Sequence, residues 1–153
     1  MTLPESHLGT DLRLLGNLEH QEGRKRGADL LVEDDEPRDL VSVAGHENLA
    51  QALLLRFLTP FGELTILGHP DYGSRLYELI GELNDDANRR KARMYVLQAL
   101  ASEPRVAAVQ NLQVTQPPGR RNDVLIEMRL DVIDSDTPLN LVFPFSLEGG
   151  ATP

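Results

Sequence analysis

The side chains best suited to chemistry in this chain are its carboxylates, which number 24 among 153 residues. A glycosidase-type reaction needs two of them, one as the proton donor and one as the base or nucleophile. Two pairs are candidates: Glu63 with Asp71, and Glu78 with Glu82, which are spaced for one face of a helix. With so many acids such pairs are expected by chance, and a solvent-facing helix surface is the simpler interpretation of the second pair.

The other polar residues do not form the motifs of a metal site, a nucleotide site or a serine or cysteine nucleophile. The four histidines are scattered, and His46-Glu47, which begins like a zinc-protease helix, is followed by Ala50 where the second histidine is needed. The absence of cysteine excludes disulfides, thiolate zinc sites and cysteine nucleophiles. No glycine-rich phosphate loop is present, and Ser74 lacks the Gly-x-Ser-x-Gly pattern of a nucleophile elbow. The sequence therefore predicts no catalytic constellation, no metal and no cofactor.

Polar recognition at a rigid corner is indicated by Glu103-Pro104-Arg105. Residues 92–101 carry apolar side chains at the spacing of one helix face, and residues 106–114 are rich in the β-branched and aliphatic types that form strands. Pro104 has no amide proton and disfavours a helical conformation at Glu103, so the chain must turn there. A rigid corner loses little freedom on binding a partner. The residues alone favour a second interpretation, in which Glu103 and Arg105 pair with each other.

Charge and hydropathy limit the classes of partner. The formal net charge of −9 and the pI near 4.8 argue against nucleic acid, whose phosphates need a basic surface. No apolar run approaches the roughly 18 residues of a membrane span, and no signal-peptide pattern follows Met1. We therefore expect a cytoplasmic protein without direct membrane insertion, large enough to form one domain that buries roughly 70% of its unfolded surface.

Three helices are predicted to position these residues. The first covers residues 47–58 and ends at Thr59-Pro60, and the second places Leu76, Leu79, Ile80 and Leu83 at core spacing. Asn84-Asp85-Asp86 can end the second helix and cap the third, which leads into the corner. The loop between the first two helices is assigned a structural role, with a tight turn at glycine, a capping serine and a tyrosine at the edge of the core. The residues chosen for that role are Gly62, Pro70, Tyr72, Gly73 and Ser74.

The last third of the chain predicts three antiparallel strands in a meander. Residues 124–132 and 139–147 alternate apolar with mainly polar side chains, as half-buried strands do. Pro144 confines the last strand to a sheet edge or a bulge, and an edge can accept a strand from another chain. The predicted class is α+β, with a three-stranded antiparallel C-terminal meander, about three helices packed on one face, and an extended N-terminal arm with short strands.

The N-terminal region is predicted to be an extended arm over residues 1–39. Short strand-like patches occur at Leu12, Leu14 and Leu15, at residues 30–32 and at residues 40–43, and the polar stretch from 16 to 27 has no periodicity. The predicted domain then covers residues 40–147, and residues 148–153 form a disordered tail.

Three segments, in order, resemble the baseplate wedge family of contractile phage tails, whose relatives serve type VI secretion and other contractile injection systems. The resemblance spans about residues 40–145 and rests on Leu58-Thr59-Pro60-Phe61-Gly62-Glu63, on Pro70-Asp71-Tyr72-Gly73-Ser74-Arg75-Leu76, and on Glu103-Pro104-Arg105-Val106 followed by the meander.

What this resemblance implies is a structural role in a baseplate, as six copies assembled into a tail-like particle. The implied partners are other wedge proteins and the sheath protein, with the central spike or hub as a further candidate. Glu103 and Arg105 would be the polar contacts to the wedge core, Pro104 would be the rigid corner, and Arg105→Ala would abolish wedge association without harming the fold. Strand pairing with the sheath is assigned to the edge strand, through Leu139, Leu141, Phe143 and Phe145, and to the arm, through Leu12 and Leu14.

The alternative is a peptidoglycan hydrolase of a tail-like particle, because members of the same family have carried a lysozyme-like label. It predicts clearing of a cell-wall suspension that disappears when Glu63 or Glu103 becomes Gln. The aromatic content of 5% and the absence of Trp argue against it, since sugar-binding clefts usually stack saccharides on aromatic rings. A free-standing regulatory adaptor is the third possibility, and the kind of contractile machine stays open.

Overall fold

A two-stranded sheet and a three-stranded sheet pack against two helices in the described part of the chain. The structure is a computed structural model that describes residues 8–14 and 42–148. In chain order its elements are β1 (Thr10–Leu12), β2 (Ser42–Ala44), α1 (Gly45–Leu58), a 3₁₀ helix (Glu63–Leu67), a second 3₁₀ helix (Leu76–Leu79), α2 (Asp86–Ala101), β3 (Val106–Thr115), β4 (Asp123–Val132) and β5 (Leu139–Ser146).

Strands β3, β4 and β5 form the predicted antiparallel meander, with β4 in the centre and the other two strands at the edges. Pro144 lies opposite Leu125 in the edge strand β5, where a missing amide proton disturbs no central ladder. Along β4 every second side chain from Val124 to Val132 is buried. The two helices cover this apolar face, and the Phe57 ring of α1 stacks on the Phe143 ring of β5 at 5.3 Å. The predicted α+β class is confirmed.

Helices α1 and α2 form as predicted. The Asp85 side chain caps α2 by accepting a 2.8 Å hydrogen bond from the Asn88 amide, and Thr59-Pro60 ends α1. The second predicted helix shortens to the 3₁₀ helix Leu76–Leu79, because Ile80 is already extended and Gly81 has a φ of 91°. The Gly81 amide instead donates to the carbonyl of Leu147, which leaves Leu83 77% exposed, not in the core.

At the N-terminal side, β1 pairs antiparallel with β2 and so lies against the start of α1. The predicted patch is therefore a strand at Leu12, but the strand ends there and does not include Leu14. The predictions for Leu15, for residues 16–41 and for the tail from residue 149 lie outside the described residues, and the domain boundaries remain predictions. Within the described ranges, no helix combines the length and apolarity needed to cross a bilayer.

Candidate functional site

The corner formed by Glu103, Pro104 and Arg105 joins α2 to β3 as the sequence predicts. The Glu103 amide donates to the carbonyl of Leu100 and closes the last turn of α2, and the Val106 amide then donates to the carbonyl of Glu103. Glu103 is only 4% exposed, whereas Pro104 faces solvent and Arg105 is half-buried. The corner therefore presents the proline ring outwards and holds its acid inside.

The carboxylate of Glu103 is held by internal contacts. Its Oε1 accepts hydrogen bonds from Nε of Arg105 at 2.7 Å and from the Arg105 amide at 3.2 Å, and its Oε2 accepts from Nη2 of Arg105 at 3.1 Å. Such a two-point fork is the strong arrangement of a guanidinium and a carboxylate. The internal pairing that the residues alone favoured is present, so a partner would meet Pro104 and the outer edge of Arg105 before it met Glu103.

A second arginine, which the sequence interpretation missed, completes this cluster. Nη2 of Arg56, in the last turn of α1, lies 3.4 Å from Oε2 of Glu103, and its guanidinium carbon lies 4.7 Å from the centroid of the Tyr72 ring. The Arg56 Nε is buried and donates to no acceptor in the described part of the chain. The contact with the aromatic face partly offsets that loss. The only signal available in the sequence was a charged residue in an otherwise apolar helix end.

The pKa values of this cluster reflect its burial and its charges. Burial by itself raises the pKa of Glu103, but the hydrogen bonds from Arg105, together with the charges of Arg105 and Arg56, outweigh burial and hold that pKa below its ordinary value. The hydrogen bond to Glu103 likewise raises the pKa of Arg105. Burial is the main reason that the pKa of Tyr72 is raised. At neutral pH the cluster is therefore an ionised carboxylate between two guanidinium groups.

Glu103→Gln is expected to lower the free energy of unfolding by about 2 kcal/mol at pH 7, because it removes a charged acceptor from four donors. The folded-state pKa of Glu103 lies below the ordinary 4.5, so its stabilisation is present above that pH and is lost as the pH falls through the folded-state value. Urea unfolding at pH 7 and at pH 3 should show that the difference in free energy of unfolding between wild type and Glu103→Gln becomes smaller in acid. Asp71→Asn, at an exposed carboxylate, is the control. An equal difference at both pH values would contradict the prediction.

The loop from Thr59 to Arg75 is fixed against α1 by a short ladder. The Phe61 amide donates to the carbonyl of Ser74 at 3.0 Å, and the Ser74 amide donates to the carbonyl of Thr59 at 2.9 Å. The buried Ser74 hydroxyl donates to the carbonyl of Phe57 at 2.7 Å, so it binds the end of α1 more tightly than the helix that it was predicted to cap. Gly73 has a φ of 108°, and a Cβ there would lie 2.5 Å from the carbonyl oxygen of Thr59.

The other members of the predicted loop set lie around this ladder. The Gly62 amide donates to the carbonyl of Tyr72 at 3.1 Å, and Gly62 has a φ of 82°. Tyr72 lies half-buried under Arg56, while Pro70 is exposed. The loop thus joins the end of α1 to the arginine cluster at the corner.

The N-terminal segment 8–14 is bound through its backbone by α1. Leu8 is fully buried, and its carbonyl accepts hydrogen bonds from the Asn48 amide group at 2.7 Å and from Nη1 of Arg105 at 3.2 Å. The buried Gln51 side chain donates to the carbonyl of Leu12 at 2.8 Å and accepts from the amide of Leu14 at 2.7 Å. Leu12 is 39% exposed and Leu14 half-buried, so both lie beside α1 with part of their surface available.

The edge-strand residues proposed for sheath contact point inwards. Leu139 is 8% exposed, and Leu141, Phe143 and Phe145 are 2% exposed or less. Their side chains belong to the core, so a strand added to β5 would bind the backbone of the strand and not these side chains.

The carboxylate pairs do not form an enclosed site. Glu63, Asp71, Glu78 and Glu82 are all exposed, and Glu78 accepts a 3.0 Å hydrogen bond from the hydroxyl of Tyr95. His46 lies with its Nε2 3.0 Å from the carbonyl oxygen of Thr137. Across residues 8–14 and 42–148, no group of three or more histidines and acids is arranged to hold a metal ion.

Comparison with known proteins identifies a shared fold. No protein-family model matches the chain, and no curated protein matches it significantly. Among solved structures, it is similar to the crystal structure of a protein from Geobacter sulfurreducens that is provisionally named a tail lysozyme, with a TM-score of 0.59 and 24% sequence identity. The similarity covers 69% of this chain and 93% of the Geobacter protein. At this level of identity, the comparison establishes that nearly the whole fold of that protein is present in this one.

Proposed function

We propose that this protein is a structural baseplate component of a contractile, phage-tail-like particle, where it links wedge subunits and initiates sheath assembly by strand pairing. The observation that carries the proposal is the fold shared with a protein named a tail lysozyme, over 93% of that protein's length. The family resemblance of the corner and loop motifs points the same way. We further propose six copies per baseplate and a location in the cytoplasm within the assembled particle.

The proposed mechanism is binding alone. The corner projects Pro104 from a turn whose conformation is fixed by the Glu103–Arg105 fork, so its entropy loss on docking is small. On this proposal, a wedge protein packs on Pro104 and the outer edge of Arg105. The sheath protein adds a strand at the backbone edge of β5, with β1 and Leu14 as a second candidate contact.

The alternative is a peptidoglycan hydrolase, which the name of the Geobacter protein favours. Glu103 is poorly suited to act as its proton donor, because a general acid needs a raised pKa and the pKa of Glu103 is lowered by Arg105 and Arg56. Glu63 is exposed and forms no part of the arginine cluster, so the clearing assay with Glu63→Gln is the test of this alternative.

Pro104→Glu is expected to abolish wedge association while it leaves the fold intact, because it places a charge on an exposed side chain in the proposed contact. The test is co-expression with the wedge and sheath proteins encoded nearby, followed by size-exclusion chromatography. The matched control is Pro118→Glu, at an exposed proline in the turn between β3 and β4. If wild type elutes without any of the co-expressed partners, the baseplate proposal is contradicted. If the Pro104 variant associates as wild type does, the proposed contact at the corner is contradicted.

A further inference from the structure

Two adjacent aliphatic side chains project from the first 3₁₀ helix into solvent. Ile66 is 96% exposed and Leu67 is 71% exposed, and Phe61 at the base of the same loop is 39% exposed. We call Ile66 and Leu67 the apolar tip. Single exposed aliphatic residues are common on protein surfaces, but neighbouring ones on a protruding loop are typical of an interaction site.

The apolar tip is held in one conformation by local contacts. Left-handed glycines flank the 3₁₀ helix, Gly62 with a φ of 82° and Gly68 with a φ of 87°. The Thr65 hydroxyl donates to the carbonyl of Gly62 at 2.5 Å, and the His69 amide donates to the carbonyl of Leu64 at 3.1 Å. These bonds pre-order the backbone that carries the tip, so a partner would not have to order it on binding.

The base of the loop continues towards the Glu-Pro-Arg corner. The Gly62 amide donates a hydrogen bond to the carbonyl of Tyr72, and the Tyr72 ring lies under the guanidinium of Arg56 in the buried cluster. A cleft of about 260 Å³ is lined by Phe61 from the loop and by Ser102, the residue directly before Glu103. Ile66 follows Phe61 by five residues and Pro104 follows Ser102 by two, so the tip and the corner flank this cleft along the chain. Neither is large enough alone for a stable interface, which needs about 800 Å² on each partner.

The charge around the tip indicates what should surround it in a complex. The loop carries two carboxylates, Glu63 and Asp71, one on each side of the tip along the chain. Its one Lys or Arg residue, Arg75, ends the loop, and its guanidinium carbon lies 5.6 Å from the centroid of the Phe61 ring at the base. Both carboxylates are exposed. A partner that buries the two aliphatic side chains would bring its own rim close to these acids, and basic residues on that rim would complement them.

We propose that the apolar tip inserts into an apolar groove, rimmed by Lys or Arg, on the same wedge protein that receives the Glu-Pro-Arg corner. This inference rests on the proposed baseplate function and adds to it a second anchor and the chemistry of the surface that accepts it. The tip supplies buried apolar area, the acids flanking it supply orientation, and the corner continues the interface.

The test is the affinity of purified full-length protein for the nearby-encoded wedge protein, measured by titration calorimetry. The double variant Ile66→Ser, Leu67→Ser should bind about 100-fold more weakly than wild type, because each buried aliphatic side chain contributes about tenfold. Its thermal unfolding should be unchanged, since both side chains are exposed. Leu83→Ser is the matched control, at a leucine that is 77% exposed elsewhere on the surface, and should bind like wild type.

Glu63→Lys provides a second readout that does not depend on apolar area. It should weaken binding at low salt by repelling the basic rim, and the loss should diminish as salt is raised. Binding within about twofold of wild type for both the tip variant and Glu63→Lys would overturn this inference alone. If wild type does not bind the wedge protein at all, the proposed function fails and this inference fails with it.

Discussion

Gly73→Ala is expected to destabilise the protein by at least about 3 kcal/mol, the largest effect among the substitutions considered. Gly73 has a φ of 108°, which L-residues rarely adopt, and an added Cβ would lie 2.5 Å from the carbonyl oxygen of Thr59 and 2.7 Å from that of Pro60. Both atoms are backbone, and Ser74 is hydrogen-bonded to Thr59 beside them, so relief of the clash requires the loop to separate from the end of α1.

A second glycine provides a control that separates the steric clash of the added Cβ from the free-energy cost of the left-handed backbone. Gly68 has a φ of 87°, but a Cβ there would meet nothing within 4 Å, so Gly68→Ala should cost only about 1 kcal/mol. Thermal unfolding of the two variants should differ by roughly 5 °C or more, at about 2–4 °C per kcal/mol for a chain of this size. Equal melting temperatures would show that the loop accepts a side chain at Gly73.

Arg105→Ala should lower the free energy of unfolding by about 3 kcal/mol, at the low end of the range for breaking a buried ion pair. The substitution leaves the carboxylate of Glu103, which is 4% exposed, with Arg56 at 3.4 Å as its remaining basic partner in the described part of the chain. It also removes a donor from the carbonyl of Leu8. The family resemblance implied a binding defect with an intact fold, and the buried fork changes that expectation.

The measurement is urea unfolding of wild type, Arg105→Ala and Arg105→Lys at neutral pH. Lysine keeps the charge but cannot reproduce the two-point fork, so Arg105→Lys should fall between the other two. Arg129→Ala, at an exposed position of β4, is the control and should be nearly neutral. A variant at Arg105 within 0.5 kcal/mol of wild type, roughly the scatter for surface substitutions, would show that the fork contributes little. Loss of a partner by Arg105→Ala becomes informative only when the fold is shown to be retained.

The sequence predicted the parts of the fold in which one periodicity runs over many residues. Helix α1 and the alternating strands β4 and β5 are of this kind, and Pro144 located the edge strand by an absolute rule about hydrogen bonding. The second predicted helix was wrong in length, because its apolar spacing runs over too few residues to decide where the helix ends. It ends before Gly81, which is in the left-handed region and whose amide is hydrogen-bonded to the residue after β5. Spacing in the sequence does not reveal such a tertiary contact.

The candidate site was predictable only where its residues are neighbours in the chain. Glu103 and Arg105 are two residues apart, so their pairing could be considered from the sequence. Arg56 reaches the same carboxylate from 47 residues away. The exposed tip was also missed, because Ile66 and Leu67 look like core residues to any argument based on hydrophobicity.

The hydrogen bond between Arg105 and the carbonyl of Leu8 joins residues 97 positions apart in the chain. During synthesis, Leu8 therefore leaves the ribosome roughly 5–20 s before the arginine that will bind it, at typical rates of about 5–20 residues per second. Asn48 and Gln51, which also bind segment 8–14, emerge earlier and can hold it against α1. The corner is thus completed by residues from the first tenth and the last third of the chain, and Arg105 can bind the carbonyl of Leu8 only after α2 has been made.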